Sequence, residues 1–157
     1  MADPYVYPGT NVLANKLDIR DAKELEELER RLSQQRLEEL QQNPPSPAKD
    51  MQSYQDLHRH LFQDIYEWAG QIRTTELSKG SSLFAFQHLI ESNMQKEFAE
   101  LQKQDMLANT KAVEFAGKAA AHISELNVIH PFREGNGRVM RAHLEQLGRH
   151  AGHSIDM

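Results

Sequence analysis

Apolar residues along this chain recur mainly at helical spacing, in runs separated by breaks rich in proline and glycine. Leu25, Leu28, Leu32 and Leu40 repeat near a 3.6-residue period after Asp21-Ala-Lys-Glu24, a string that fits a capping box. The dense Glu/Arg/Gln positions between them read as a solvated face. Asn43-Pro-Pro-Ser-Pro-Ala48 ends that helix. A second helix is expected over 51–69, with Leu57, Leu61, Ile65 and Trp68 as its buried stripe and Gly70 as its stop. A third, over 87–103, would bury Leu89, Ile90, Met94, Phe98 and Leu101. A fourth, over 109–128, would place Val113, Ala116, Ala120, Ile123 and Leu126 inside. A last helix over 137–151 offers Val139, Ala142, Leu144 and Leu147 for packing.

Two stretches depart from this pattern. Ile72-Arg-Thr-Thr-Glu-Leu77 has strand character, and Lys79-Gly-Ser-Ser82 is a turn leading into Leu83-Phe84, so residues 71–86 predict a short β-hairpin. Residues 1–20 carry two prolines and a glycine and are expected to pack as an ordered arm with one short helical turn. Pro131 disfavours helical geometry at His130, so the chain should leave the fourth helix there. These elements describe an all-α single domain over 1–157, with one hairpin.

Composition narrows the function. The 157 residues are 39% apolar and 26% charged, enough for one domain with its own core. A net charge of −5 and a pI near 5.9 argue against general nucleic-acid binding. The absence of cysteine rules out disulfides and thiolate metal sites. No apolar run reaches the length of a membrane span, and the N-terminus lacks the basic and hydrophobic regions of a signal peptide. The expectation is a cytoplasmic protein with no direct nucleic-acid or membrane partner.

The chemistry is concentrated in His130-Pro-Phe-Arg-Glu-Gly-Asn-Gly-Arg-Val-Met-Arg141. A histidine exchanges protons near neutral pH, which suits His130 to general-base work. Glu134 offers a hard oxygen ligand for Mg²⁺. Gly135-Asn136-Gly137 permits a sharp turn with bare N–H groups, an anion-binding nest strengthened by a helix start. Arg138 and Arg141, spaced i, i+3, can present both guanidinium groups on one helix face. A base, a metal ligand, an anion nest and two arginines together describe phosphoryl or nucleotidyl transfer.

The string also resembles the Fic domain motif, H-x-F-x-[D/E]-G-N-G-R-x-x-R, with every fixed position filled: His130, Phe132, Glu134, Gly135, Asn136, Gly137, Arg138 and Arg141. Tyr5-Val-Tyr-Pro-Gly-Thr-Asn-Val-Leu-Ala-Asn-Lys-Leu17 looks like the opening of bacterial Fic toxins and secreted Fic effectors. Leu61-Phe-Gln-Asp-Ile-Tyr-Glu-Trp-Ala-Gly-Gln-Ile-Arg73 is similar to the segment that leads into the family's flap. The resemblance implies a Fic-type helical bundle whose hairpin is the flap, a strand onto which the target's backbone docks. Relatives often continue for another helix or two after His-Ala-Gly. A trimmed or naturally minimal C-terminus with an exposed apolar patch is therefore expected here.

The activity implied is protein adenylylation, the transfer of AMP from ATP to a Tyr, Thr or Ser hydroxyl of a target protein. In that reading His130 removes the hydroxyl proton and Glu134 holds Mg²⁺ between the α- and β-phosphates. The amides of Gly135 to Gly137 and the Asn136 side chain stabilise phosphate oxygens. Arg138 would hold the β-phosphate and Arg141 the γ-phosphate, while Lys79 and Phe84 of the flap would close over target or nucleotide. Phe132 reads as a core anchor and Arg133 as a solvated charge. His58, His60, His88, His122, His143, His150 and His153 read as structural or merely exposed.

Other donors used by the family, namely UTP, CDP-choline or a phosphate group, are alternatives, as is a non-catalytic nucleotide-binding module. The intact Gly135-Asn136-Gly137-Arg138 favours AMP, and retention of His130 and Glu134 favours catalysis. Many relatives carry an inhibitory [S/T]-x-x-x-E-[G/N] helix. Thr110-Lys-Ala-Val-Glu114 fits it until Phe115 breaks the match. Either a separate small antitoxin supplying the inhibitory Glu near Arg141, or a version from which that segment was removed, is expected instead. By analogy alone, targets of toxin-type relatives are type II topoisomerase subunits and those of effector-type relatives are host GTPases, the latter implying delivery to a host cell.

Overall fold

The chain adopts the expected helical class, seen in a computed structural model that describes residues 3–155. Five α-helices occur among these residues: α1 (Ala22–Gln42), α2 (Met51–Phe62), α3 (Ile90–Lys103), α4 (Ala112–Ile129) and α5 (Asn136–Ala151). Helix α2 packs on α1, α3 and α5, and α4 lies between α3 and α5. Tyr54, Phe62, Phe98 and Phe132 are at most 1% exposed and form the aromatic centre of the core. None of these helices is long and apolar enough to cross a membrane.

Helix α1 starts at an Asp21 carboxylate that accepts the Glu24 N–H at 3.1 Å, one arm of the expected capping box. Its inward face is Leu25, Glu29 and Ser33, while Leu28, Leu32 and Leu40 are only half-buried. The solvated reading of the charge run therefore fails at Glu29. Helix α2 opens on a complete box: Asp50 accepts the Ser53 N–H at 2.8 Å, and Ser53 Oγ accepts the Asp50 N–H at 3.1 Å. It stops at Phe62 rather than 69. The Ile65 carbonyl, which a longer helix would give to Ala69, instead accepts the Lys16 N–H at 2.7 Å. Ile65 is buried all the same, because the turns after Phe62 fold over the same core.

Among its described residues the N-terminal arm contains no helical turn. Val6 and Leu13 form an antiparallel bridge. The Asn15 side chain then donates to the Leu13 and Ile19 carbonyls at 2.9 and 2.8 Å. The hairpin is shorter than expected, with β1 (Ser78–Lys79) paired to β2 (Ser82–Leu83) across Gly80, whose φ is +60°. Residues 72–77 lie outside its two strands, though the Leu77 carbonyl accepts the Phe84 N–H at 3.1 Å, and two of their donors are used elsewhere. Arg73 N–H bonds the Pro131 carbonyl at 2.9 Å, and Thr74 N–H bonds the Tyr5 hydroxyl at 2.9 Å.

Helix α3 follows a single 3₁₀ turn, Gln87–Leu89, which leaves Leu89 40% exposed rather than buried. Helix α4 differs in phase. Phe115, Ala119, His122, Leu126 and Ile129 face the core, whereas Val113, Ala116 and Ala120 are exposed and Ile123 is half-buried. Two sides of this helix are apolar. The large Phe115 ring and a buried polar chain decide which one turns inward. His122 Nδ1–H donates to Glu97 at 2.7 Å, and the Nε2 atoms of His122 and His143 lie 2.9 Å apart. The other side, with Leu144 and Ile155, lines an apolar groove of about 370 Å³.

Candidate active site

Helix α4 ends at Ile129, and His130 turns the chain with left-handed dihedrals, φ 51° and ψ 64°. Residues 131–135 then form a loop that delivers the chain to the N-terminus of α5. This loop is pinned from inside. Phe132 is fully buried, stacked on His58 at 3.8 Å and on Tyr54 at 5.9 Å. Asn136 Nδ2 donates to the Phe132 carbonyl at 2.7 Å while its Oδ1 accepts the Phe132 N–H at 3.0 Å. Both polar ends of Asn136 are thus engaged within the loop. Its side chain therefore shapes the loop, with both polar ends bonded to the Phe132 backbone.

His58 supports the same loop. Its Nδ1 accepts the Gly70 N–H at 2.9 Å, so Nε2 carries the proton and donates to the Glu134 carbonyl at 2.8 Å. Burial lowers its pKa to about 4, against the pull of the Glu134 carbonyl, and the ring stays neutral. Gly135 sits on this platform with φ +85°, and a Cβ there would stand 2.5 Å from Phe62 Cε2. Gly137 has no such constraint: nothing lies within 4 Å of its Cβ direction.

The outward face carries the candidate chemical groups. Burial, then the charges of Arg73 and Lys79, lower the His130 pKa to about 4, with the Asn127 carbonyl acting the other way. The ring is therefore unprotonated at neutral pH, the state a general base needs. Phe84 of the flap stacks on it at 3.7 Å and 8° between planes, while Lys79 is exposed and contributes charge rather than a bond. The Glu134 side chain is exposed, with Oε1 accepting the Gly135 N–H at 3.1 Å. Helix α5 begins at Asn136 with no side-chain cap, so its first-turn N–H groups are left without a side-chain acceptor, the condition under which a helix start can receive an anion.

Arg138 points across the mouth to α1, where its NH1 donates to Glu29 Oε1, and Tyr66 donates its hydroxyl proton to Glu29 Oε2. Burial raises the Glu29 pKa; Glu134 raises it further, and the Tyr66 and Arg138 contacts oppose this. Cavities of about 350 and 300 Å³ flank Arg138. The first is lined by Glu29, Tyr66 and Glu134, the second by Arg30, Ser33 and the exposed Arg141. Arg133 is not a solvated charge: its NH2 bonds Asp3 at 2.6 Å and ties the loop to the arm. Glu29 was legible in part, lying four residues after Leu25 on the inward stripe of α1. Arg73 was marked only as the end of the segment similar to the one leading into the flap, and His58 gave no motif signal.

Residues 48–147 match the model of the Fic/DOC family. The chain belongs to that family. It is similar to a Sinorhizobium fredii protein named probable protein adenylyltransferase y4lH, 44% identical over 155 residues, covering 98% of this chain and 79% of that one. It is also 40% identical over 154 residues to the Bartonella schoenbuchensis protein adenylyltransferase VbhT, covering 98% of this chain and 32% of VbhT. Among solved structures, BepC, a VirB-translocated effector protein of Bartonella tribocorum with bound AMPPNP, matches at TM-score 0.86 and 29% identity. That match covers 97% of this chain and 80% of BepC. The Fic motif of this chain thus lies on a Fic fold, at a helix start of the kind that accepts phosphate.

Proposed function

We propose that this Fic chain is a protein adenylyltransferase that moves AMP from ATP to a hydroxyl side chain of a target protein. The observation that carries the reading is a neutral His130, under the flap, one loop away from an uncapped helix N-terminus bearing Arg138. The nucleotide bound in BepC supports ATP as donor, and the names of the relatives support AMP as the transferred group. The acceptor oxygen attacks the α-phosphorus as its proton passes to His130. The new O–P bond forms while the bond to the β-phosphate oxygen breaks, and pyrophosphate leaves. N–H groups at the start of α5 stabilise the phosphate oxygens. Arg138 and Arg141 hold the β- and γ-phosphates.

Mg²⁺ fits the residues present. Among the described residues no cluster of three or more His, Asp or Glu side chains could cage a metal, but Glu134 offers one exposed hard carboxylate. Mg²⁺ commonly binds through one or two carboxylates with substrate phosphates completing the shell. Bound there, it would neutralise charge building on the phosphates.

Arg141 is exposed and pairs with no carboxylate among the described residues. That leaves it accessible to a Glu from a separate antitoxin, which would displace the γ-phosphate. Two measurements test these readings. Incubation with α-labelled and γ-labelled ATP and cell lysate should label protein from the α position only, and His130→Ala should lower that rate by roughly 10²–10⁴-fold. Label from the γ position alone, or none, would overturn AMP transfer. Control by an antitoxin requires the purified chain to be active by itself; an inactive chain that still binds ATP refutes it.

A further inference from the structure

Arg73 lies between the end of α2 and the hairpin, and its guanidinium is wholly buried. It donates four hydrogen bonds, all to main-chain carbonyls: Nε to His130 at 2.7 Å, NH1 to Thr75 at 2.6 Å, and NH2 to Ala85 at 2.6 Å and Ile129 at 3.1 Å. The carboxylate in range, on Glu76, stands 3.9 Å away and is itself half-exposed. A buried cation without a close anion is costly. Carbonyl dipoles offset that cost, two of them at the negative C-terminal end of α4.

The four bonds divide into two sets. Thr75 and Ala85 belong to the two stems of the flap. Ile129 and His130 belong to the end of α4 and the catalytic loop. Further bonds close the same seam, from Arg73 N–H to the Pro131 carbonyl at 2.9 Å and from Ala85 N–H to the Val128 carbonyl at 3.1 Å. A hairpin with two-residue strands has little of its own to fix its orientation. His130 also needs holding, since a residue with a Cβ is strained at φ 51°.

We propose that Arg73 is a positioning residue for the transfer reaction, locking the flap to the backbone of the catalytic base so that an acceptor hydroxyl docked on the flap meets His130 in one geometry. The inference rests on the function proposed above, in which the flap presents the target. The Arg73 guanidinium bonds none of the residues that line the cavities beside Arg138 and Arg141, so it serves transfer and not nucleotide binding. Its charge also faces His130, together with Lys79 and the Asn127 carbonyl, and with Glu76 beside Arg73 itself. Removing a cation from beside a histidine favours its protonated form, so the acid limb of the rate profile moves to higher pH.

The test compares the full chain with Arg73→Gln and Arg73→Lys. The readouts are ATP affinity by calorimetry, the rate of α-label incorporation into lysate protein at saturating ATP across acid to neutral pH, and amide hydrogen exchange. Both variants should bind ATP within about twofold of wild type and transfer AMP on the order of tenfold to a hundredfold more slowly. The acid limb should rise in Arg73→Gln and stay in place in Arg73→Lys, which keeps the charge. Exchange should quicken together at Phe84, Ala85 and His130. If Arg73→Gln does not fold, Arg73→Lys alone decides. Wild-type rate and exchange, or a rate loss matched by lost ATP affinity, overturn the proposal. Were the wild type to transfer no AMP, the functional reading would fall, and the exchange data would still decide whether Arg73 locks flap to loop.

Discussion

The two glycines of the motif should respond in opposite ways to the same added methyl group. At Gly135 two costs add. A φ of +85° is unfavourable for any residue with a Cβ, by roughly 1–2 kcal/mol. The new Cβ would also stand 2.5 Å from both Cε2 and Cζ of Phe62. Phe62 is fully buried in the aromatic core and cannot swing away, and overpacking of this kind costs about 1–3 kcal/mol. Gly135→Ala should therefore lose roughly 2–5 kcal/mol, a melting shift on the order of 10 °C for a chain this size. At Gly137 the backbone is ordinary helix and nothing lies within 4 Å. Gly137→Ala should leave stability unchanged or raise it by up to about 1 kcal/mol. If the α5 N-terminus receives phosphate, that methyl stands at the nucleotide surface, and ATP affinity should fall. Urea denaturation and calorimetry with ATP measure both arms. A stable Gly135→Ala would refute the packing account, and Gly137→Ala with full ATP affinity would refute the placement of the phosphates.

Glu29→Gln should bind ATP several-fold more tightly, because Glu29 occupies Arg138 and adds negative charge beside Glu134. Calorimetry checks this, and unchanged or weaker binding would mean that Arg138 does not serve phosphate. Acid should destabilise the fold through its buried neutral histidines. His58 has a pKa of about 4 in the folded chain against 6.5 as its ordinary value, and His143 is likewise held well below it. As pH falls from 6.5 toward 4 the unfolded chain takes up protons that the folded one refuses, so stability present above 6.5 is lost, on the order of 3 kcal/mol from His58. A urea midpoint that stays level across that window would refute it.

The sequence carried the helices and the motif well, because both are local. Spacing placed the buried stripes of α3 and α5 apart from Leu89, which is exposed, and Leu144, which is half-buried, and the fixed residues of 130–141 fall together on one loop and helix start. Its failures share one physical origin: the deciding contact came from a distant segment. Apolar spacing ran on through Ile65 and Trp68, yet α2 stopped where Lys16 of the arm took the Ile65 carbonyl. Helix α4 offered two apolar sides, and periodicity could not choose between them. Glu97 and His143, on neighbouring helices, fixed the inward side at His122. The strand expected at 72–77 lost its donors to Pro131 and Tyr5.

The same distinction divides the motif. Phe132, Gly135 and Asn136 turn inward and spend their side chains or their lack of one on the shape of the loop. His130, Glu134, Gly137, Arg138 and Arg141 face the site. Each member of this second group leans on a residue outside the motif or on none. Arg73 holds the His130 carbonyl, His58 holds the Glu134 carbonyl, and Glu29 holds the Arg138 guanidinium. Arg141 has no such partner among the described residues. A side chain without a fixed partner reorients at little cost, so under the proposed function Arg141 is the motif position where an incoming phosphate or carboxylate would compete most freely. On the proposed reading, control of the reaction would be easier to exert there than at Arg138, where a ligand would first have to displace Glu29.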